Sequence, residues 1–331
     1  MVISNLQQCV LGFSQVPCFF IFGDSLSDSG NNNDLVIAAK ANYPPYGIDF
    51  PLGPTGRFCN GETRVDVITK ILAFNNYIPS FAMASTSDIL KGLNYASSGS
   101  GILDDTGAGE HISLNQQLQN HKVTIKNLVA KLGTVDSATQ YLNKCLYSVG
   151  MGTNDYANNY FSTLLSVKML LYDLEKFTEI LIHQYSKQLR TLHHLGARKI
   201  VVFPVNNTGC AENLNKAAKL FNKKLKSLVD HLNTKLTDAK FIYVNVCQMM
   251  SSDFLVSAAM KNIDLRETCC EVGSYGLCKP SSSPCKDRNA FIFWDSSHPP
   301  EIVNILLAEL TFSNSDSDVK FPMDIRRVVG L

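Results

Sequence analysis

Cys18-Phe19-Phe20-Ile21-Phe22-Gly23-Asp24-Ser25 reads as a buried strand that runs into a tight turn and presents a serine just past its end. Similar short apolar runs recur at 92–96 (GLNYA), 145–149 (CLYSV), 199–205 (KIVVFPV) and 241–246 (FIYVNV). Longer segments of helical period separate them. Leu171, Leu174, Phe177, Leu181, Tyr185, Leu189 and Leu192 fall three or four residues apart and stop at Gly196; Leu214, Ala218, Phe221, Leu225, Leu228, Leu232 and Leu236 do the same. Apolar strands alternating with amphipathic helices predict a parallel sheet covered on both faces, a three-layer α/β/α architecture. In such sheets ligands bind beyond the carboxyl ends of the strands, where strand order reverses. The turn carrying Ser25 is therefore the first place to look for chemistry.

Composition narrows the functional classes. The 331 residues are 45% hydrophobic and 18% charged, the balance of a folded chain rather than a disordered or fibrous one. Thirty Lys and Arg stand against 29 Asp and Glu, leaving no excess field to attract nucleic acid or anionic lipid. Lys216, Lys219, Lys223, Lys224 and Lys226 lie off the apolar stripe of their helix and read as a solvated face. The longest apolar runs fall far short of the roughly 18 to 20 residues needed to span a bilayer, so no integral membrane segment is expected. Residues 16–331 read as one domain.

Ten cysteines are many for such a chain. Cys269, Cys270, Cys278 and Cys285 crowd into loop-like sequence whose spacing lacks the paired hooks of a structural zinc site. Disulfides are expected there, and with them an oxidising, extracellular compartment. Residues 1–15 form an atypical N-terminal segment: no Lys or Arg precedes Lys40, unlike the basic start of a signal peptide. The sequon at Asn206-Asn207-Thr208 marks Asn206 as a weak glycosylation candidate.

Several familiar chemistries fail on single residues. Gly99-x-Gly101 and Gly150-x-Gly152 lack the third glycine of a dinucleotide fingerprint, because Asp104 and Asp155 stand in its place. There is no P-loop, no H-E-x-x-H and no G-x-S-x-G elbow. The turn residues Asn31 to Asp34 do not fit a calcium loop. What remains is a hydroxyl in need of a base. In Phe293-Trp294-Asp295-Ser296-Ser297-His298-Pro299-Pro300, a carboxylate and an imidazole are separated by one turn. That spacing lets Asp295 hold one ring nitrogen of His298 while the other accepts a proton.

Four ordered blocks now carry a resemblance: Phe20 to Asn33 around Gly23-Asp24-Ser25, Asn94 to Gly101, Gly152-Thr153-Asn154-Asp155, and Trp294 to Pro299. Together with Tyr43-Pro44-Pro45-Tyr46-Gly47-Ile48-Asp49-Phe50 and Pro54 to Phe58, they resemble the plant GDSL esterase/lipase family of the SGNH hydrolases, from about Val16 onward. The resemblance implies a flavodoxin-like five-stranded parallel sheet and hydrolysis of carboxylic esters through an acyl-serine intermediate, without metal or cofactor. It implies Ser25 as nucleophile, His298 as general base and Asp295 as its orienting partner. The N–H groups of Ser25 and Gly99 and the side-chain amide of Asn154 would form the oxyanion hole. The implied partner is a small-molecule or lipid ester, bound by a secreted monomer. An acyltransferase using the same triad, or a silent lipid- or carbohydrate-binding protein, stays open as an alternative.

The chain also departs from the family pattern. Ser98 stands where Gly or Ala is usual, the stretch after Cys210 is short and lacks a second cysteine, and Cys59 and Cys247 are additional.

Overall fold

The computed structural model describes residues 14–107, 109–162, 166–205, 211–245, 264–312 and 320–330. Most of the N-terminal segment, Asn206, Cys210 and Cys247 lie outside the described residues. In chain order the main elements are β1 (Phe19–Gly23), α1 (Arg64–Ile71), α2 (Leu114–Leu132), α3 (Val135–Leu142), β2 (Leu146–Gly150), α4 (Val167–Leu171), α5 (Leu174–His194) and β3 (Lys199–Phe203). They continue with α6 (Glu212–Lys235), β4 (Lys240–Val244), β5 (Asp264–Thr268), β6 (Phe291–Phe293), α7 (Glu301–Phe312), β7 (Lys320–Phe321) and α8 (Ile325–Val329).

Among the described residues the main sheet has five strands in the order β1-β2-β3-β4-β7. The first four are parallel, with Gly23 beside Gly150 and Gly150 beside Phe203, so their carboxyl ends finish at one level. Alternate side chains of β1 enter two different cores. Phe20 and Phe22 pack with residues of α2, α3, α5 and α6, whereas Phe19 and Ile21 pack with α1, α7 and α8. Each fully buried phenylalanine contributes about 1.5–3 kcal/mol of hydrophobic stabilisation. Both cores press on one sheet, which is why CFFIF has no polar face.

Two strand expectations need correction. Residues 92–96 do lie parallel to β1, but pairing is limited to a single bridge at Ile21 and Asn94. The Ile21 N–H donates to Leu93 O at 3.0 Å and the Tyr95 N–H to Ile21 O at 2.8 Å. Single hydrogen bonds flank the bridge, from the Phe19 N–H to Lys91 O at 3.0 Å and from the Ser97 N–H to Gly23 O at 3.1 Å, and between them the chain bends at Gly92, whose φ of +105° only glycine adopts easily and where a Cβ would lie 1.9 Å from Phe19 O. At the Gly23 end the Gln117 side chain takes the Gly23 N–H, at 3.0 Å, in place of a neighbouring strand. The fifth strand of the sheet is instead β7, two residues long and antiparallel to β4. With 92–96 flanking β1 on one side and β2 on the other, strand order reverses at β1, the strand that leads into Ser25.

The helical stripes hold with one change. Leu171 belongs to the short α4 and is 65% exposed; α5 begins afresh where the Asp173 carboxylate caps the Lys176 N–H at 2.7 Å. On α6, Lys216 pairs with Glu212 and Lys224 with Glu175, as a solvated face would. No helix among the described residues is long and apolar enough to cross a membrane.

Candidate active site

The turn after β1 is built by Asp24. Its carbonyl accepts the N–H groups of Ser27 and Asp28, both at 3.0 Å, and its Oδ1 accepts that of Leu26 at 3.1 Å. Ser25 sits on this turn, only partly buried. His298 arrives from the far end of the chain, in the loop between β6 and α7, which closes on itself where the Trp294 N–H donates to His298 O at 2.7 Å. The structure brings the two together: His298 Nε2 lies 2.8 Å from Ser25 Oγ. His298 Nδ1 lies 2.8 Å from both carboxylate oxygens of Asp295. A carboxylate facing Nδ1 keeps the proton there, so Nε2 is left to accept from the serine hydroxyl.

Asp295 is wholly buried, a position an ionised carboxylate tolerates only when its lone pairs are filled. Oδ1 accepts the N–H groups of Ser297 and His298, each at 2.9 Å. Oδ2 accepts the hydroxyl of Tyr46 at 2.6 Å, and Tyr46 in turn accepts the Cys278 N–H at 3.1 Å. Burial and the neighbouring Asp295 charge push the Tyr46 phenol upward, so it remains a donor. Tyr46 comes from the Tyr43-Pro44-Pro45-Tyr46 stretch, whose sequence resembles the family without marking any residue in it for this role.

The cysteine cluster surrounds this contact. Adjacent Cys269 and Cys270 pair with Cys285 and Cys278 respectively, and their N–H groups donate to Phe293 O and Trp294 O, both at 3.0 Å. The loop that carries Asp295 and His298 is thus hydrogen-bonded to a doubly cross-linked segment. A third disulfide, Cys18–Cys145, joins the segments leading into β1 and β2 and had no signal in the spacing. Cys59 is free and buried, its thiol directed at Gly61 O at 3.1 Å, and burial pushes that thiol up and leaves it unreactive.

These bonds carry a prediction. Tyr46→Phe keeps the ring but removes one donor to a buried charge, which should lower kcat about tenfold without unfolding the protein. Mild reduction of the wild type should lower turnover before the core melts, and by a smaller factor in Tyr46→Phe, where the link to Cys278 is already cut. Turnover and melting temperature measured across a reductant titration check both; activity indifferent to reduction would count against the disulfide support.

The second and third blocks converge on the same turn. Gly99 has a φ of +82°, a left-handed conformation in which any side chain is strained. Neither its N–H nor that of Ser25 donates to another group among the described residues. Asn154 follows β2; its Nδ2 donates to Ser100 O at 2.9 Å and its Oδ1 accepts from Asn158 Nδ2 at 2.8 Å. The amide is held in one orientation with a second N–H to spare. Asp155, fully buried, accepts the N–H groups of Ile102 and Leu103 and the hydroxyl of Thr106, at 2.7 to 3.0 Å, and fixes the segment after Gly101. Burial pushes its carboxyl up to about 6.

A serine, an imidazole and a carboxylate thus meet at the switch point of a parallel sheet, beside two backbone N–H groups that donate to no other group among the described residues. The family profile described as GDSL-like Lipase/Acylhydrolase matches residues 19–311. Among relatives, one GDSL esterase/lipase of Arabidopsis thaliana is 42% identical over 96% of this chain and 93% of its own length. Another from the same plant is 39% identical over 100% of this chain and 97% of its own length. The chain belongs to the GDSL lipase/acylhydrolase family and is a carboxylic ester hydrolase.

Proposed function

We propose that the protein hydrolyses carboxylic esters through an acyl-serine formed on Ser25, with His298 as general base, Asp295 as its orienting partner, and Ser25 N–H, Gly99 N–H and Asn154 Nδ2 as oxyanion donors. The observation that carries this reading is the unbroken chain from Ser25 Oγ to His298 Nε2, and from Nδ1 to Asp295, each step 2.8 Å long. The serine hydroxyl is too weakly acidic to attack an ester unaided, so its proton passes to Nε2 as the Oγ–C bond forms. Asp295 holds Nδ1 and stabilises the imidazolium. The carbonyl electrons move onto oxygen, where the three donors meet them. Collapse expels the alkoxide, which takes the proton from Nε2. Water then repeats the sequence on the acyl-serine, its proton going to Nε2 and finally to Ser25 Oγ as the carboxylic acid leaves.

Residues from about 16 onward act as one catalytic domain, a reading supported by the family match over 19–311. The three disulfides among the described residues support residence in an oxidising, extracellular compartment. A fluorophosphonate probe tests the mechanism directly. Mass mapping should find the adduct on the peptide containing Ser25, formed far more slowly in His298→Ala; an adduct on another serine, or one indifferent to His298, would overturn the proposal.

A further inference from the structure

We propose that Asp28 is a positioning residue for the oxyanion site, its carboxylate joining the turn that carries Ser25 to the chain that carries Gly99. The inference rests on the proposed roles of Ser25 and Gly99 and adds a residue to them. Asp28 follows Ser25 by three residues and is fully buried. Its Oδ1 accepts the N–H groups of Gly30 at 2.8 Å and Asn31 at 2.9 Å, within its own turn. Its Oδ2 reaches across to the N–H of Ser98, at 3.0 Å, the residue immediately before Gly99. One rigid carboxylate therefore spans the two chain segments whose N–H groups must meet the same substrate oxygen.

The neighbours reinforce that span. Asn31 Nδ2 donates to Asn94 O at 2.9 Å and Ala96 O at 2.7 Å, and Asn32 Nδ2 donates to Ser98 O at 3.0 Å. In the opposite direction, Asn94 Nδ2 donates to Ser27 O at 2.6 Å. These amides hold the segment before Gly99 from its carbonyl side. Asp28 holds it from the N–H side, next to the donor itself.

Chemistry explains why the residue is a carboxylate. All three of its partners are N–H donors, and only an ionised carboxylate accepts on both oxygens without presenting a donor of its own. An asparagine of the same size would turn its NH₂ against either Ser98 or the Gly30–Asn31 pair. Protonation creates the same conflict, an O–H against an N–H. Burial outweighs these hydrogen bonds and pushes Asp28 up to about 6; the Arg57 guanidinium, itself held by Asp66, acts on it through charge alone, and its bonded partners are all backbone amides. Asp28 therefore loses its charge as pH falls through about 6, and the Ser98 contact weakens there.

The test measures kcat and KM for a soluble p-nitrophenyl ester across the pH range, in wild type and Asp28→Asn, with Ser25→Ala beside them. In Asp28→Asn, kcat should fall about 10- to 100-fold while KM stays within about threefold, because the loss is confined to the transition state. Loss of the Asp28 charge should lower the wild-type kcat as pH falls through about 6, and Asp28→Asn should lose that component and show a shallower acid limb. Wild-type turnover in Asp28→Asn, or an unchanged steepness, overturns the inference. If Asp28→Asn does not fold, Asp28→Glu, whose longer side chain cannot hold all three amides in place, decides: a fall in kcat with KM held supports the role, and wild-type kcat overturns it. Ser25→Ala working at a tenth of the wild-type rate or more would instead sink the nucleophile assignment, and so separates the two failures.

Discussion

Ser25→Ala should lower ester hydrolysis by at least about 10⁴-fold while melting at the wild-type temperature. The size follows from the part the hydroxyl plays: without Oγ no acyl-enzyme forms, and only the rate due to binding and the oxyanion donors survives. The melting temperature should hold because the turn is built by the Asp24 carbonyl and carboxylate, and the Ser25 side chain makes no bond to it. His298→Ala should cost about as much, and the double variant scarcely more, because residues that act as one unit are strongly non-additive. Release of p-nitrophenol from a short-chain ester reads all three. A Ser25→Ala protein working at even a tenth of the wild-type rate would leave the serine mechanism without support.

Asn154→Ala should reduce kcat by about 10² to 10³ with KM little altered, the loss typical of one missing oxyanion donor. Part of Asn154 is spent on structure, since its Nδ2 also bonds Ser100 O. Asn158→Ala separates the two contributions: it removes the hydrogen bond that orients the Asn154 amide but leaves the amide present. A smaller fall in kcat, of about tenfold, is expected there. If Asn154→Ala turned over within a factor of about three of wild type, the oxyanion site would need a different third donor.

The parts of the site legible in sequence are those held together by neighbours in the chain. Asp295 and His298 are one turn apart and bond through both backbone and ring. Ser25 lies two residues past the end of its strand, and CFFIF announces a strand covered on both faces. Residues 92–96 show the limit of such reading. Their apolar character correctly sets them beside β1, but the breaks in pairing depend on the left-handed Gly92 and on Gln117 reaching in from α2, and neither is visible in a run of five residues. The cysteine cluster could be read as disulfides without its pairing, because neighbouring cysteines can turn to opposite partners.

Three further residues were in plain view without a role. Asp28 and Asp155 lie inside blocks that the family likeness rests on, and Tyr46 lies in a stretch that supports it. Each acts through partners distant in sequence: Asp28 through Ser98, Asp155 through Ile102 and Leu103, Tyr46 through Asp295 and Cys278. Spacing alone cannot separate such a residue from an ordinary turn aspartate or core tyrosine.

By itself, then, the sequence determined the layered α/β class, the serine turn at a strand end, the Asp295–His298 pair and the disulfide-bearing loop beside it. Each of these is encoded by periodicity or by bonds a few residues long, which depend little on the rest of the fold. Tertiary structure alone decided that His298 reaches Ser25 across 273 positions, that Tyr46 completes the shell of Asp295 across 249, and that Asp28 bridges 70 positions to Ser98. Those contacts form only after two cores have closed on the two faces of one sheet. Their geometry is the sum of many weak packing terms, none of which leaves a local mark in the chain.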